Sequence, residues 1–452
     1  MEENRFLEMV DTMRASGKYS ALRKILCDMN TVDTAQLIEV LEAEDLLRVF
    51  NILPEDVSAG VFSYFEPHTQ EKLVDVMQDS ELETLVENLF IDDTVAFLRS
   101  APADVVKRIL ARMESDERKR INQHLQYPRF SAGSLMTCEF IELDDSMTVS
   151  EAMTLIRKTG SKKETVYVCY CVDYVRRLIG AVPLSRLLLS DDNASIRDIM
   201  DSGDKLKFVG TDDDQKKVID LARKYDLYCL PVVDTDKKLA GIITIDDIID
   251  VLVVENTKDI EKMASLRPSD DKYMQTNLFS LFKNRIPWLL ILMIAATFTG
   301  LIVQQYESLL TAFFALIVAI PLLTGSGGNA GLQSSATIIR GLTLGEIKSK
   351  DYLRVMAKEV ALALLCGVAL AGVNFARMFF ISKEALPLCV AVSAALVSAV
   401  LIAKIIGCAL PMLAKRAGLK PALVSNTMLT TLIDACTLAV YFALAKVILT
   451  VA

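Results

Sequence analysis

An aspartate lies in the middle of a long apolar stretch near the C-terminus. Asp434, in "LTTLIDACTLAVYF", has no Lys or Arg within one helical turn along the chain. A carboxylate buried in a bilayer costs at least about 2.5–3.5 kcal/mol on insertion scales, so such a residue is normally functional or faces a polar cavity. Two roles stay open for Asp434: a ligand for a cation that crosses the membrane, or a buried carboxyl group paired with Lys404.

A second polar feature follows another apolar stretch. "PLLTGSGGNAGLQSSATIIRG", Pro321 to Gly341, contains five glycines, an Asn and a Gln. A phosphate-binding loop would need Lys and Ser or Thr directly after its last glycine, but Leu332 and Gln333 follow Gly331, so that interpretation is excluded. Two interpretations remain: irregular backbone that lines a watery pathway, which we favour, or a GxxxG face for close helix packing.

One well-buried carboxylate with many neutral oxygen donors favours a hard cation such as Mg²⁺, which keeps most of its water. Softer ions such as Zn²⁺ recruit Cys or His, and both histidines of the chain precede residue 130. An intramembrane aspartyl protease would need two carboxylates that share a site. Glu359 is a poor partner for Asp434, so we do not expect an enzyme. For Glu359 itself, an interfacial role and a role in the ion pathway both stay open.

Five apolar segments carry these residues, and each has the roughly 20 residues that a membrane-spanning helix needs. They are 287–304, 309–335, 353–379, 386–411 and 421–450. Lys and Arg concentrate in the second-to-third and fourth-to-fifth connections, and the start "MEENRFLEMV" does not resemble a signal peptide. We therefore expect a multi-pass protein of the inner or plasma membrane, surrounded by lipid, with the N-terminus cytoplasmic and the C-terminus outside.

The region before the segments is acidic. The chain has 58 acidic and 49 basic residues, and the basic ones are in excess only beyond Arg285. An acidic region repels nucleic acid and attracts cations, so we expect no nucleic-acid partner. Residues 1–130 show helical periodicity, with Pro54 and Pro102 where helices would begin, 48 residues apart in similar surroundings. We predict an all-α superhelical N domain there.

The periodicity changes after residue 130, where strands alternate with helices. "LYCLPVVDTDKKLAGIITIDDIIDVL" resembles the end of a CBS module, and the order of helices and strands occurs twice. We predict an α+β tandem CBS pair over 131–255, with modules at 131–195 and 196–254. A connecting helix over 256–284 and a five-helix membrane domain over 285–452 would complete the chain.

Acidic residues crowd the end of the second module. Asp246, Asp247 and Asp250 lie on one side of a helix start, followed by Glu255 and Asp259. Crowded carboxylates repel one another until a divalent cation screens them. A cation sensor and a solvated acidic helix face both stay open.

The domain order, "GGNAGLQ" and "TTLID" together resemble the MgtE family of Mg²⁺ channels and transporters over essentially the whole chain. The resemblance implies a homodimer whose second and fifth segments line a central pore. It implies that Asp434 is the main ion-site carboxylate. The ion pathway that we expect comprises Asp434, Asn426, Thr430, Gly328, Asn329 and Glu359.

The family also implies a regulatory Mg²⁺ site at Asp246, Asp247, Asp250, Glu255 and Asp259, whose occupation packs the connecting "plug" helix against the pore. This sequence departs from the family pattern at three positions. Lys258 and Lys420 stand where acidic residues are usual, and Thr427 where Pro is usual. We therefore expect weaker Mg²⁺ sensing, and transport of another divalent cation such as Co²⁺ or Zn²⁺ is the alternative function.

A nucleotide is the other ligand that the family implies. CBS modules often hold a ribose with an Asp three residues after Ser or Thr, and Thr244 and Asp247 have that spacing. The first module has Arg186 at the matching place. ATP binding at the CBS pair therefore stays open.

Overall fold

The computed structural model describes residues 19–268, 273, 276–421 and 426–451. The chain divides into two compact units, Met1–Leu252 and Val253–Ala452. The division falls inside one long helix, Ile245–Met263, and each unit is described separately below.

The first half of the first unit is entirely helical between Tyr19 and Gln126. Its helices are α1 (Tyr19–Asp28), α2 (Thr31–Ile38), α3 (Ala43–Phe50), α4 (Glu55–Ser63), α5 (Pro67–Val76), α6 (Asp79–Asn88), α7 (Ile91–Ser100), α8 (Ala103–Arg112) and α9 (Ser115–Gln126). From α2 onward each helix packs against the second helix after it, as in a superhelix. The predicted all-α superhelical N domain is confirmed.

Pro54 and Pro102 directly precede α4 and α8, as predicted. They lie four helices apart, so the 48-residue spacing is not the repeat of a two-helix unit. Side-chain hydrogen bonds instead join residues that are 30 positions apart, such as Ser63 to Asp93 and Thr69 to Glu39. The sequence similarity around the two prolines therefore reflects how these helices begin.

Two three-stranded sheets with the same topology follow. The first contains β1 (Glu142–Asp144), β2 (Val168–Val172) and β3 (Leu178–Pro183), and the second contains β4 (Val209–Gly210), β5 (Cys229–Val233) and β6 (Leu239–Thr244). In each sheet the first pair is parallel and the second antiparallel. The helices around them are α10 (Ala132–Leu135), α11 (Val149–Thr159), α12 (Leu184–Leu189), α13 (Ile196–Ile199) and α14 (Gln215–Tyr225). This duplication confirms the tandem pair.

The predicted connecting helix over 256–284 is not a single helix. Residues 256–263 are the end of α15 (Ile245–Met263), and residues 278–284 begin the next helix. Ser265 adopts a left-handed backbone with φ 61°, and Pro268 follows it. A left-handed residue ends a helix and proline cannot continue one, so the chain turns here.

The second unit contains five helices that are long and apolar enough to cross a membrane among the described residues. The helices of this unit are α16 (Leu278–Gln305), α17 (Glu307–Ala312), α18 (Phe314–Thr343), α19 (Tyr352–Ala376, continued by a π-helical turn, Arg377–Ile381), α20 (Leu386–Arg416) and α21 (Asn426–Val451). All but the short α17 are spans, so the predicted number of segments is confirmed.

Some predicted bounds of the segments are wrong. The first span begins nine residues earlier than predicted, because "LFSLFKNR" continues the same helix. The second begins at Phe314, since a break at Phe313 separates it from α17, and it runs on to Thr343. The described part of the fifth is Asn426–Val451. Residues 422–425 of the predicted fifth segment lie outside the described residues.

Helix α20 is at the centre of the second unit, where it packs against α18, α19 and α21. Its buried side is rich in small residues, including Ala395, Ala399 and Ala403. Small side chains let neighbouring backbones approach closely inside a membrane. The glycine-rich α18 and the Asp434-bearing α21 are therefore held side by side against one central helix.

Candidate ion site and carboxylate clusters

The glycine-rich stretch is a regular α-helix, so the predicted irregular backbone is wrong. Gly327 and Gly331 are buried against the neighbouring spans, as the GxxxG interpretation requires. A Cβ on Gly331 would overlap the Ile433 side chain and lie 3.1 Å from the carbonyl oxygen of Ala403, and a Cβ on Gly407 would overlap the Gly331 carbonyl. Because the glycines allow this approach, the helix does not need to break.

The same helix has an uncovered side next to α21. Gly325 and Asn329 are exposed, and nothing lies within 4 Å of a Cβ built on Gly325. Gly328 is buried, with a Cβ position 3.5 Å from the Thr430 methyl group of α21. The structure therefore brings together Gly328 and Thr430, and leaves Asn329 at the open edge of the α18–α21 seam.

On α21 the predicted pathway residues form one stripe. Asn426, Thr430 and Asp434 follow one another at four-residue spacing and are all half-buried. Residues four apart in a helix share a face. Asp434 Oδ1 is buried and has no hydrogen-bond partner within the described ranges. The alternative that pairs Asp434 with Lys404 is wrong, because Lys404 Nζ lies 3.7 Å from Glu359 Oε2 instead.

Glu359 belongs to a different environment from Asp434. Its carboxylate accepts a hydrogen bond from Ser334 Oγ, and Lys404 Nζ donates to the same Ser334 Oγ at 3.2 Å. All three residues are less than a tenth exposed and come from α18, α19 and α20. The predicted place of Glu359 in the ion pathway is therefore a poor fit, because its charge is already compensated by a lysine.

In the first unit, the acidic start of α15 faces further carboxylates. Thr244 Oγ1 donates to Asp247 Oδ2 at 2.8 Å. Burial, and then the nearby charges of Asp246, Asp93 and Asp250, raise the pKa of Asp247 to about 7 despite that hydrogen bond. Asp246 and Asp250 are exposed at the same helix start.

Sequence analysis missed three members of this group, namely Asp92, Asp93 and Glu164. Burial and then the charges of Asp93, Asp246 and Asp247 raise the pKa of Glu164 to about 7. Burial and the charge of Asp93 likewise raise the pKa of Asp92 well above its ordinary value. Among the described residues, Asp92 Oδ1 and Glu164 Oε2 have no hydrogen-bond partner.

We call these residues the cytosolic carboxylate cluster: Asp92, Asp93, Glu164, Asp246 and Asp247. Its members come from the N domain, the first module and the second module, so no local pattern relates them. The one signal, two acids in the first turn of α7, is also what an ordinary helix start shows. Raised pKa values and unpartnered buried oxygens at one place make this cluster a candidate functional site.

Glu255 and Asp259, the other two acidic residues predicted for the sensor, belong to the second unit. They lie one helical turn apart on the part of α15 that belongs to the second unit. Lys420 Nζ donates to Glu255 Oε2 at 3.0 Å and to Asp259 Oδ1 at 2.9 Å. Burial lowers the pKa of Lys420, but these two hydrogen bonds outweigh it and raise that pKa overall. Two members of the predicted five-residue sensor therefore bind a lysine, and the sensor itself stays a prediction.

The CBS pair encloses a cavity of about 910 Å³. Tyr167, Tyr228, Lys205 and Lys207 line it together with mostly apolar side chains. Thr244 and Asp247, the predicted ribose-binding residues, are not part of its lining, and their own surroundings are carboxylates that would repel phosphate. The cavity thus contains lysines and aromatic side chains, whereas carboxylates surround Thr244 and Asp247.

In the described part of the chain, one set of three ligand atoms lies within 4.8 Å of one another: Glu39, Glu66 and His68. Glu39 Oε1 already accepts from the Glu66 amide and from Thr69 Oγ1 at the start of α5. A helix N-terminus favours an anion, so Glu39 acts as a cap there. The ligand atoms of the cytosolic carboxylate cluster do not form such a set within 4.8 Å.

Comparisons with known proteins agree with this architecture. A family model for MgtE, described as a divalent cation transporter, matches residues 320–444, the MgtE intracellular N domain matches residues 29–129, and a CBS domain matches residues 196–254. The chain is 33% identical to the magnesium transporter MgtE of Thermus thermophilus, over 99% of both proteins. It is 29% identical to that of Enterococcus faecalis, over 98% of this chain and 97% of the relative.

Two solved structures share the fold of the first part of the chain. One is the soluble part of a magnesium transporter, with 27% identity, a TM-score of 0.53, and coverage of 56% of this chain and 99% of that one. The other is the cytosolic domain of the Mg²⁺ channel MgtE in complex with ATP, with 31% identity, a TM-score of 0.50, and coverage of 54% and 98%. Full-length similarity, the domain order and the five spans show that this multi-pass membrane protein belongs to the MgtE family.

Proposed function

We propose that the protein conducts Mg²⁺ across the membrane along the α18–α21 seam, with Asp434 as the carboxylate of the ion site. The observation that carries this proposal is the buried Asp434 Oδ1 without a hydrogen-bond partner in the described residues. Asn426 and Thr430 continue the same stripe, and Asn329 lies at the open edge of the seam. Several neutral oxygens around one carboxylate suit an ion that keeps part of its hydration shell. The relatives that carry the name magnesium transporter support the choice of ion.

The ion site would be completed by a second copy of the chain. One carboxylate balances half the charge of Mg²⁺, and a two-fold axis along the seam would place a second Asp434 opposite the first. Asn329 is exposed, and the described α16 has no fully buried residue. These polar and apolar surfaces can contact a second copy of the chain or lipid. A homodimer with the N-terminus inside and the C-terminus outside is our proposal for the assembly.

We assign the regulatory Mg²⁺ site to the cytosolic carboxylate cluster. Its members raise one another's pKa values, so each like-charged neighbour costs free energy until a cation arrives. Bound Mg²⁺ would join the N domain to both modules and stabilise one arrangement of the cytosolic part. Asp250 at the same helix start would add to the field that attracts the ion.

ATP is the ligand that we propose for the cavity between the modules. Its volume suits a nucleotide, Tyr167 and Tyr228 can stack on a base, and Lys205 and Lys207 can neutralise phosphates. Support comes from the related cytosolic domain that was crystallised with ATP. Arg186, at the matching place in the first module, forms an ion pair of 2.9 Å with Asp201, which lines the cavity.

The test is uptake of Mg²⁺ into Mg²⁺-starved cells that produce the wild type, Asp434→Ala or Asp434→Asn. We expect both variants to lose uptake while membrane insertion and oligomeric state are unchanged. Glu384→Gln, which removes a carboxylate from the loop before α20, is the matched control and should transport normally. Competition by Ca²⁺, Co²⁺ and Zn²⁺ measures selectivity in the same assay. Normal uptake by Asp434→Asn would contradict the proposal.

A further inference from the structure

The second unit contains a buried ionic network that joins three of its spans. Lys404 Nζ lies 3.7 Å from Glu359 Oε2, and Ser334 bridges them by accepting from Lys404 and donating to Glu359. The side chains of Lys404 and Glu359 are 4% and 10% exposed. Charges at membrane depth are costly and normally mark function, so the network needs an explanation.

Its composition argues against a role as a cation ligand. Lys404 supplies a positive charge that repels a divalent ion, and the Glu359 oxygen that would bind such an ion is engaged with Ser334. Each residue lies on a different span, with Ser334 on α18, Glu359 on α19 and Lys404 on α20. The network therefore joins three helices at one point.

That point is one turn away from the closest contact between α18 and α20. Gly331 and Gly407 bring their backbones together there, and Ser334 and Lys404 are each three residues from them. A contact between small residues sets the distance between two helices but not the rotation of either helix about its axis, because such a contact contains no directional hydrogen bonds. Hydrogen bonds at Ser334 supply the direction.

We propose that Glu359 and Lys404 are positioning residues that set the rotation of α18, and through it the place of Gly328 and Asn329 at the seam. Consecutive residues of a helix are about 100° apart, so a turn of α18 by one residue would move Asn329 off the open edge. The transport readout of this proposal rests on the proposed function. The Glu359–Lys404 pair would affect transport without contacting the ion.

The experiment compares Glu359→Gln, Lys404→Met and the double variant for initial Mg²⁺ uptake as a function of Mg²⁺ concentration. Each single variant leaves one buried charge without its partner, so we expect the maximum rate to fall at least about tenfold. Half-saturating Mg²⁺ should be unchanged. In the double variant both charges are absent, and the rate should recover to within about threefold of the wild type.

A second readout does not depend on transport. Asn329→Cys is placed in each background, and its rate of modification by a water-soluble thiol reagent is measured against the same background without the added cysteine. We expect slow modification in the single variants and recovery in the double variant. If the wild type shows no Mg²⁺ uptake, the proposed function is contradicted. The labelling pattern would still support the positioning role in that case.

Two results would overturn the inference. Glu359→Gln and the double variant could both raise half-saturating Mg²⁺, which would make Glu359 an ion ligand. Alternatively, rates and labelling could be the same in all variants, which would show that the pair does not position α18. If a single variant does not fold, as judged by thermal unfolding in detergent, the double variant still decides between these outcomes.

Discussion

The two units treat their buried carboxylates in opposite ways. In the first unit, Asp92, Glu164 and Asp247 face other carboxylates, and their pKa values are raised. In the second unit, Glu359 faces Lys404, and Glu255 and Asp259 face Lys420. Asp434 is the exception in its unit, with an Oδ1 that has no hydrogen-bond partner in the described ranges.

The difference distinguishes carboxylates that pair with a lysine from the carboxylates that we propose as cation ligands. The charge of a carboxylate that pairs with a lysine is already neutralised, so bound Mg²⁺ would stabilise it little further. A carboxylate among other carboxylates, or unpartnered at membrane depth, gains most from an ion. Acidic residues that look alike in the sequence are thereby assigned to different tasks.

The largest effect should follow from breaking the buried pair in the second unit. Lys404→Met leaves Glu359 as an uncompensated buried charge, which lowers the free energy of unfolding by about 3–5 kcal/mol. The double change Glu359→Gln with Lys404→Met should cost far less. Thermal unfolding of the detergent-solubilised protein measures both, and equal losses in the two variants would show that Lys404 does not stabilise the unit through Glu359.

The cytosolic carboxylate cluster should behave in the opposite way. Asp92→Asn removes a buried carboxyl group that faces Asp93 and Asp247 and whose Oδ1 has no hydrogen-bond partner among the described residues, so it should stabilise the Mg²⁺-free protein by about 1–2 kcal/mol. The same change should remove most of the stabilisation by Mg²⁺, which for the wild type is about 2.7 kcal/mol at a hundredfold excess over the dissociation constant. Glu114→Gln, an exposed acid of the same domain, is the matched control for thermal unfolding with and without Mg²⁺. Equal Mg²⁺ stabilisation of wild type and Asp92→Asn would contradict the assignment.

The pH should shift Mg²⁺ binding at that cluster. The pKa values of Asp247 and Glu164 are about 7, against ordinary values of 3.8 and 4.5. The folded protein therefore binds more protons than the unfolded chain between these limits, and its stability without Mg²⁺ falls as the pH rises from about 4 to 7. Mg²⁺ binds the ionised form, so its apparent affinity should rise between pH 6 and 8. Titrations followed by thermal unfolding would contradict this if the affinity were independent of pH.

The smallest effect should come from Lys420, whose ion pairs are partly exposed. Lys420→Gln should cost about 1 kcal/mol or less, and the loss should shrink at high salt. The change should also speed proteolysis near Arg267, after the end of α15, because Glu255 and Asp259 of α15 lose the hydrogen bonds that Lys420 donates to them. Lys420→Asp should make protection of that segment depend on Mg²⁺, because three carboxylates then face one another. Identical digestion rates for wild type and both variants, with and without Mg²⁺, would contradict this role.

The sequence was sufficient wherever a property was local or periodic. The length of the apolar segments predicted the five spans, helical periodicity predicted the N domain, and the duplicated order of elements predicted the CBS pair. Isolation in an apolar segment drew attention to Asp434. Local signals also gave the correct helix starts after Pro54 and Pro102.

The sequence was insufficient wherever residues meet from distant elements. Asp92 and Glu164 join Asp247 only through the packing of three domains, and nothing near Lys404 indicated that it would choose Glu359 over Asp434. The glycine stretch misled in another way. Irregular backbone and close packing both call for glycine, and only the neighbouring Ile433 and Gly407 show that packing applies.

The most direct measurement is Mg²⁺ flux into vesicles that contain the purified protein, with wild type and Asp434→Asn compared at equal protein content and pH. Asn keeps the shape of the side chain and removes its charge. The account predicts that Asp434→Asn has the flux of protein-free vesicles while its stabilisation by Mg²⁺ at the cytosolic carboxylate cluster stays as in the wild type. Flux equal to the wild type from Asp434→Asn would contradict the account.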